Sequence, residues 1–243
     1  MAHGSTDWYG SDPSANTYGS LDVAELAVRL GSPVAFDRRG RVTWFNDWRN
    51  GVSGVTNTII GAGTENYLYV GEGAYSNYSN YLYCGTSVNG CRGLTQALWY
   101  PPLGGVGLEC SWRPSSDIKG IYQWLNFYDG ANRICFGLFY EHSTGNLAYT
   151  NDAGGWTFFA TPGPMNTGTN CFNPVKLVVN SLKGEYVRCV FQEHVYDMAG
   201  YKPQVSADAS NKALALDVGV SQGTTTGQYA YNGYVILTQG ESV

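Results

Sequence analysis

The chain has 243 residues, and only 14% of them are charged, with a formal net charge of −5. Its 32 glycines and 19 tyrosines exclude a coiled coil or a helical bundle and favour a turn-rich β protein. The acidic balance argues against nucleic-acid binding, because phosphate contacts need clustered Lys and Arg.

The N-terminal residues 1–19 are rich in Gly, Ser, Asn and Tyr without periodicity, which predicts a flexible arm. The alternative is an arm that becomes ordered on a neighbouring subunit. No basic stretch followed by an apolar one begins the sequence, so we expect no signal peptide and synthesis in the cytoplasm. We also expect no transmembrane helix.

Residues 20–33 predict one short amphipathic α-helix, which a glycine and a proline terminate. Leu21, Leu26 and Leu30 belong to its apolar stripe. Such a stripe must be buried, either on the chain's own β domain or on a partner chain. These leucines are therefore candidate inter-subunit contacts.

The strongest strand pattern spans residues 121–159, where alternating apolar and polar residues are interrupted by turns at 129–132, 143–146 and 152–155. Similar stretches on both sides bring the expected number of strands to roughly ten to thirteen. The connections are too short for parallel crossovers. We therefore expect residues 34–243 to form a single all-β domain, an antiparallel two-sheet sandwich of jelly-roll type.

The meander and the closing strand resemble the concanavalin A-like (laminin G-like) β-sandwich superfamily over residues 100–240. The residues that carry the resemblance are Asp129-Gly130, Thr144-Gly145-Asn146-Leu147, Gly155-Trp156 and the closing run 231–237. The alternation in that run places Tyr231, Gly233, Val235 and Leu237 on one face. Asn232 and Gly233 stand where the superfamily often has acids, which weakens a calcium role carried over from it.

A second resemblance concerns residues 36–48, which are similar to segments of structural proteins of phage-like particles. It implies that the chain is a virion component, such as a capsid decoration or tail protein. Such a protein assembles with copies of itself and with neighbouring structural subunits.

The six cysteines leave the redox compartment open. Cys84 and Cys91 flank a short loop and form a candidate disulfide, with two reduced thiols as the alternative. Cys110 and Cys135 lie in apolar strand patterns and are expected to be buried thiols. No pair has C-x₂-C spacing, so we expect no structural zinc site.

The segment 61–93 is crowded with tyrosines, which cover a large contact area with few rotatable bonds. This density indicates a glycan-stacking surface or a subunit interface, with an ordinary tyrosine-rich sheet face as the alternative. The candidate contacts are Tyr75, Tyr78, Tyr81 and Trp99.

Catalytic and metal sites have little support in the sequence. Glu193 and Asp197 are the carboxylate pair whose spacing suits one strand face, as a glycosidase would need, but a solvated hairpin end is the favoured explanation. The meander turns carry Asp129, Asn132, Asn151 and Asp152, and such loops sometimes bind calcium, although turn chemistry accounts for all four. We expect no catalytic residues and no cofactor.

The sequence therefore favours a non-enzymatic structural protein of a virion-like assembly, which self-associates through its arm, its helix and its tyrosine-rich surface. A carbohydrate-binding, lectin-like module is the alternative, and a polysaccharide-active enzyme is a third reading. The expected partners are further copies, neighbouring subunits and glycans, without nucleic acid or a membrane.

Overall fold

The computed structural model describes residues 39–48, 56–60, 65–70, 78–83, 91–98, 103–168, 171–221 and 227–243. For 56–60, 65–70 and 91–98 the description is of the backbone alone. The predicted arm, the predicted helix and its three leucines lie outside these residues. Within the described part, no helix is long and apolar enough to cross a membrane.

The described residues form sixteen strands. In chain order they are β1 (Arg41–Asn46), β2 (Thr56–Ile60), β3 (Glu65–Val70), β4 (Tyr78–Tyr83), β5 (Cys91–Leu98), β6 (Gly105–Pro114), β7 (Gly120–Tyr128), β8 (Asn132–Glu141), β9 (Asn146–Thr150), β10 (Trp156–Ala160), β11 (Asn173–Asn180), β12 (Glu185–Phe191), β13 (His194–Asp197), β14 (Gln204–Ala207), β15 (Ala213–Ser221) and β16 (Tyr229–Gln239). The expected number of strands was too low, because β2, β3, β4 and β14 lack a clear alternation of apolar and polar residues.

The strands pair into two antiparallel sheets. The first sheet has the order β13-β12-β11-β6-β16-β4-β3, with β1 on β16, and the second has the order β10-β9-β8-β7-β15-β5-β2, with β14 on β8. The core between them includes Leu108 and Trp112 of the first sheet and Leu125, Phe136 and Leu216 of the second. The predicted antiparallel sandwich is thus confirmed, while its jelly-roll connectivity stays a prediction.

The meander over residues 121–159 is also confirmed, because β7, β8, β9 and β10 are consecutive neighbours. These four strands make up one side of the second sheet, and β10 ends the order. The chain then leaves the sheet and returns much later as β14, which pairs with β8, and as β15, which pairs with β7. The face of this sheet is therefore built from distant parts of the sequence.

The closing strand β16 contradicts the expectation that Tyr231, Val235 and Leu237 share one face. The pairing with β6 shifts in register between Asn232 and Tyr234, which marks a β-bulge. Val235 and Leu237 pack in the core, whereas the ring of Tyr231 lies under the Arg113 guanidinium, 4.2 Å from its carbon. One extra residue in the strand reverses the faces beyond it.

Candidate functional site

The outer face of the second sheet carries a cluster of aromatic side chains that the core does not use. On β7 the core takes Ile121 and Leu125, so Tyr122 and Trp124, at the alternate positions, point outward. We call the outward cluster the tryptophan face. Its members are Tyr122, Trp124, Phe139, Trp156 and Phe158.

The rings of the tryptophan face form a connected surface. The centroid of Trp156 lies 5.9 Å from that of Trp124 and 5.3 Å from that of Phe139. The ring centroids of Tyr122 and Trp124 are 5.7 Å apart. Trp156 is 39% exposed and Phe158 is 52% exposed, while Trp124 is half-buried. Apolar rings therefore remain in contact with water along this edge of the sheet.

A glycine allows Trp124 to lie close to the sheet. Gly137 is directly opposite Trp124 in the pairing of β7 with β8. A Cβ atom at Gly137 would clash with Thr150 Oγ1 and would lie 3.0 Å from Trp124 Nε1. The indole therefore occupies space that a side chain at this position would fill.

A polar pair lies beside the rings. Asn126 Nδ2 donates a hydrogen bond of 2.8 Å to Asp217 Oδ2, and Asp217 is directly opposite Trp124 in the pairing of β15 with β7. Asn126 and Thr150 are each only 3% exposed. Within the described residues, Asn126 Oδ1, Thr150 Oγ1 and Trp124 Nε1 have no hydrogen-bond partner.

The thiol at the same face is not a nucleophile at neutral pH. Cys135 is directly opposite Asn126 in the pairing of β7 with β8. Its pKa is raised to about 11, chiefly by burial, while the Arg133 charge acts to lower the pKa and the Asp217 charge acts to raise it. A thiol reacts as its thiolate, which is scarce far below the pKa.

The structure separates the tyrosines that the sequence singled out. Tyr81 lies on the outer face of the first sheet, with ring centroids 5.1 Å from those of Tyr229 and Tyr231. Tyr78 points the other way and packs against the core. Tyr75 and Trp99 lie outside the described residues.

The candidate disulfide also falls outside what the structure describes. Cys84 is not among the described residues, and of Cys91 only the backbone is described, as the first residue of β5. Cys110 and Cys135 are confirmed as buried free thiols.

The two carboxylates considered as catalytic candidates lie at the edge of the first sheet. Glu193 and Asp197 are exposed at the β12–β13 hairpin, where Asp197 Oδ1 accepts a hydrogen bond of 2.9 Å from the Ala199 N–H. Asp129 accepts hydrogen bonds from the N–H groups of Asn132 and Ala131 within its own turn. These bonds lower the pKa of its carboxyl group. Among the described residues no group of three metal-ligating side chains occurs.

Sequence reasoning missed the tryptophan face. Its signal was present, since Tyr122, Trp124 and Asn126 occupy every second position of one strand, opposite the core positions. The neighbouring Trp156 and the distant Asp217 become visible only with the strand pairing.

No family model matches the chain, and no curated protein matches it in sequence. Solved structures match its fold. One is a conserved carbohydrate esterase of the Shiga toxin-encoding bacteriophage phi24B, with a TM-score of 0.54 and 13% identity, over 83% of this chain and 100% of the other. The chain has a concanavalin A-like β-sandwich fold.

Two further structures show the same fold. A protein of unknown function with a galectin-like fold from Bacillus subtilis has a TM-score of 0.52 and 10% identity, over 83% of this chain and 97% of its own. The cellulose-induced protein Cip1 has a TM-score of 0.50 and 10% identity, over 82% of this chain and 100% of its own. At such identities the similarity shows the concanavalin A-like fold alone.

Proposed function

We propose that the chain is a non-enzymatic carbohydrate-binding β-sandwich that holds sugar rings on its tryptophan face. The observation that carries the proposal is the position of Trp124 and Trp156, which are partly exposed side by side next to the Asn126–Asp217 pair. Small-ligand sites typically combine aromatic surface with a few placed polar groups. Sugars match both, since they have apolar ring faces and hydroxyl edges.

The carboxylates of this face support a binding role over a hydrolytic one. Asp217 and Glu141 are the acidic residues at outward positions of the described strands of the second sheet. Counting strand spacing and rise places their backbones about 16 Å apart. Glycosidases need two carboxyl groups about 5–10 Å apart, so this pair does not form such a site.

A glycan array followed by titration calorimetry on the hits tests the proposal. We expect Trp156→Ala and Trp124→Ala each to weaken binding at least tenfold, because stacking area is lost. Leu182→Ala is the matched control, since Leu182 is 69% exposed in a turn of the other sheet. An array without hits, or hits that survive both tryptophan substitutions, would refute a glycan site here.

We propose in second place that the chain is a structural component of a virion-like particle, such as a capsid decoration or tail protein made in the cytoplasm. Apolar residues at the ends of both sheet orders support it: Val195 of β13 is 59% exposed and Phe158 of β10 is 52% exposed. Exposed edge strands of this kind favour association.

The self-association would use the arm, the helix leucines Leu21, Leu26 and Leu30, and the tyrosines around Tyr81. Light scattering on the full chain, with electron microscopy of the eluted species, tests this. We expect a defined homo-oligomer that dissociates when residues 1–33 are removed. A full chain that stays monomeric at all concentrations would rule the assembly role out, and glycan binding would still be possible.

A further inference from the structure

We propose that the open edge of β10 pairs with the same edge of a second copy of the chain, antiparallel and about a two-fold axis. The pairing would join the second sheets of the two copies into one sheet and place their tryptophan faces side by side. Such a dimer does not depend on the proposed glycan binding. It follows from the backbone, the charges and the side chains of β10.

The backbone of β10 offers hydrogen-bonding groups to a further strand. β10 ends the order of the second sheet and pairs with β9 and with no other described strand. At the base of the β9–β10 hairpin, the Asn151 N–H donates a hydrogen bond of 2.9 Å to the Gly155 carbonyl oxygen. Bonded and non-bonded residue pairs alternate along an antiparallel ladder, so Thr157 bonds to β9. The N–H and C=O groups of Trp156 and Phe158 therefore point to the open side.

β10 also lacks the features that usually protect a sheet edge, which are charges, prolines and bulges. The strand has no charged residue and no proline, and the nearest charged residues along the chain are Asp152 and Lys176. By contrast β13, at the end of the first sheet, is bounded by Glu193 and Asp197, which are both exposed. The register of β10 on β9 shifts only after Phe158. Its first three residues therefore form a regular, uncharged edge.

The side chains of β10 match a second copy of the same strand. In an antiparallel pair centred on Thr157, each Trp156 lies opposite Phe158 of the second copy. Both side chains point to the outer face, and they are 39% and 52% exposed. Aromatic pairs across strands stabilise a sheet, and so does a pair of threonines, which Thr157 forms with its own copy. No like charges meet in this register, so two copies can pair without electrostatic repulsion.

The pairing would make one aromatic surface out of two tryptophan faces. Each copy would contribute Phe158 beside Trp156 of the other, so the rings continue across the two-fold axis. A short strand pair buries less area than a standard interface of about 1,600 Å², and contacts of this size are typical of transient complexes. We therefore expect a dimer that forms and dissociates with protein concentration.

A cysteine at the two-fold axis tests the pairing in the full chain. Thr157 and its copy would form a non-hydrogen-bonded pair with Cα atoms about 4.5 Å apart, and a disulfide spans about 4.4–6.8 Å. Under oxidation by copper phenanthroline, we expect Thr157→Cys to form a disulfide-linked dimer, with the bond mapped to position 157 by mass spectrometry. The controls are the unmodified protein and Val195→Cys on β13. Val195 is 59% exposed and Thr157 is half-buried, so random collisions would favour the control.

Sedimentation of the full chain over a concentration series is the second measurement. Thr157→Lys places two positive charges opposite each other, so we expect its association to be at least about tenfold weaker. Val195→Lys should associate like the unmodified protein. The β10 dimer would be overturned by a missing disulfide at position 157, by equal yields from both cysteine variants, or by unchanged association of Thr157→Lys. A dimer without any glycan hit would uphold the pairing, although the proposed function would then fail.

Discussion

Lys176 Nζ lies 2.8 Å from Glu241 Oε1, and both side chains are fully buried. Arg188 Nη2 lies 2.6 Å from the other carboxylate oxygen, and Thr238 Oγ1 donates to Oε1 over 2.5 Å. The carboxylate near the C-terminus thus joins β11, β12 and β16. Arg188 also donates a hydrogen bond of 2.7 Å to the carbonyl oxygen of Ser242. These contacts hold the C-terminal residues against the first sheet.

Glu241→Ala should destabilise the protein strongly. The substitution leaves two buried cations without this carboxylate, and breaking a buried ion pair in this way costs about 3–5 kcal/mol. Urea unfolding followed by tryptophan fluorescence measures the change. The control is Glu185→Ala, because Glu185 forms a 2.6 Å ion pair with Lys202 at the surface, where water screens the charges. Equal losses in the two variants would contradict the structural role of the cluster.

Gly137→Ala should disturb the tryptophan face. The new methyl group would clash with Thr150 Oγ1 and press against Trp124, which costs about 1–3 kcal/mol of stability and moves the indole from its place. We expect weaker glycan binding and altered tryptophan fluorescence in the folded protein. Gly155→Ala is the control, since the nearest atoms to a Cβ there are at 3.7 Å. A variant with wild-type stability and fluorescence would contradict the packing described.

The meander could be predicted because its signals are local. Each turn between β7 and β10 has a glycine with positive φ, at Gly130, Gly145 and Gly154, and each strand alternates between core and outer positions. Turn chemistry and period-two alternation are visible in a single sequence. The buried thiols of Cys110 and Cys135 follow from the same strand patterns.

The candidate site could not be predicted in the same way, because it depends on strands that are distant in sequence. Asn126 and Asp217 are 91 residues apart and meet only because β15 enters the sheet beside β7. The bulge in β16 also leaves no sign in the alternation of apolar and polar residues. It places Tyr231 on the opposite face from Val235. Register and strand order are set by packing across the whole sandwich.

The buried thiols should react slowly in the folded protein. Cys110, Cys135 and Cys189 are buried, and burial raises the pKa of each thiol, to about 11 for Cys135. At neutral pH only about one molecule in ten thousand then carries the Cys135 thiolate. Iodoacetamide labelling with peptide mapping should modify half-buried Cys171 well before these three. Equal labelling of Cys135 and Cys171 would contradict the burial.

The raised pKa of Cys135 also predicts a pH dependence of stability. The folded state holds the thiol protonated to a higher pH than the unfolded chain, whose thiol pKa is about 8.5. The protonated Cys135 thiol therefore contributes its full stabilisation of the folded state below about pH 8.5. This stabilisation is lost as the pH rises toward about 11. Urea midpoints measured across this range should fall less in Cys135→Ala than in the wild type. An equal fall in both would assign the effect to other groups.

Tyr186→Phe should loosen the second sheet below the tryptophan face. On one side of β8, β9 pairs with residues 138–141 and β14 with residues 132–135, so Gly137 lies between the two. The Tyr186 hydroxyl fills this gap, 2.9 Å from the Gly137 N–H nitrogen and 3.0 Å from the Thr150 carbonyl oxygen. Removing it leaves buried backbone groups without their partner, which costs about 1–3 kcal/mol.

Tyr149→Phe is the matched control for this prediction. Its ring lies 5.3 Å from that of Tyr186 and stacks on Tyr201 at 4.5 Å, but its hydroxyl forms no hydrogen bond within the described residues. We expect urea unfolding to show a clear loss for Tyr186→Phe and little change for Tyr149→Phe. Hydrogen exchange should accelerate at Gly137 in the first variant alone, because that amide loses its acceptor. Unchanged protection of Gly137 would show that the hydroxyl does not bridge the gap in the sheet.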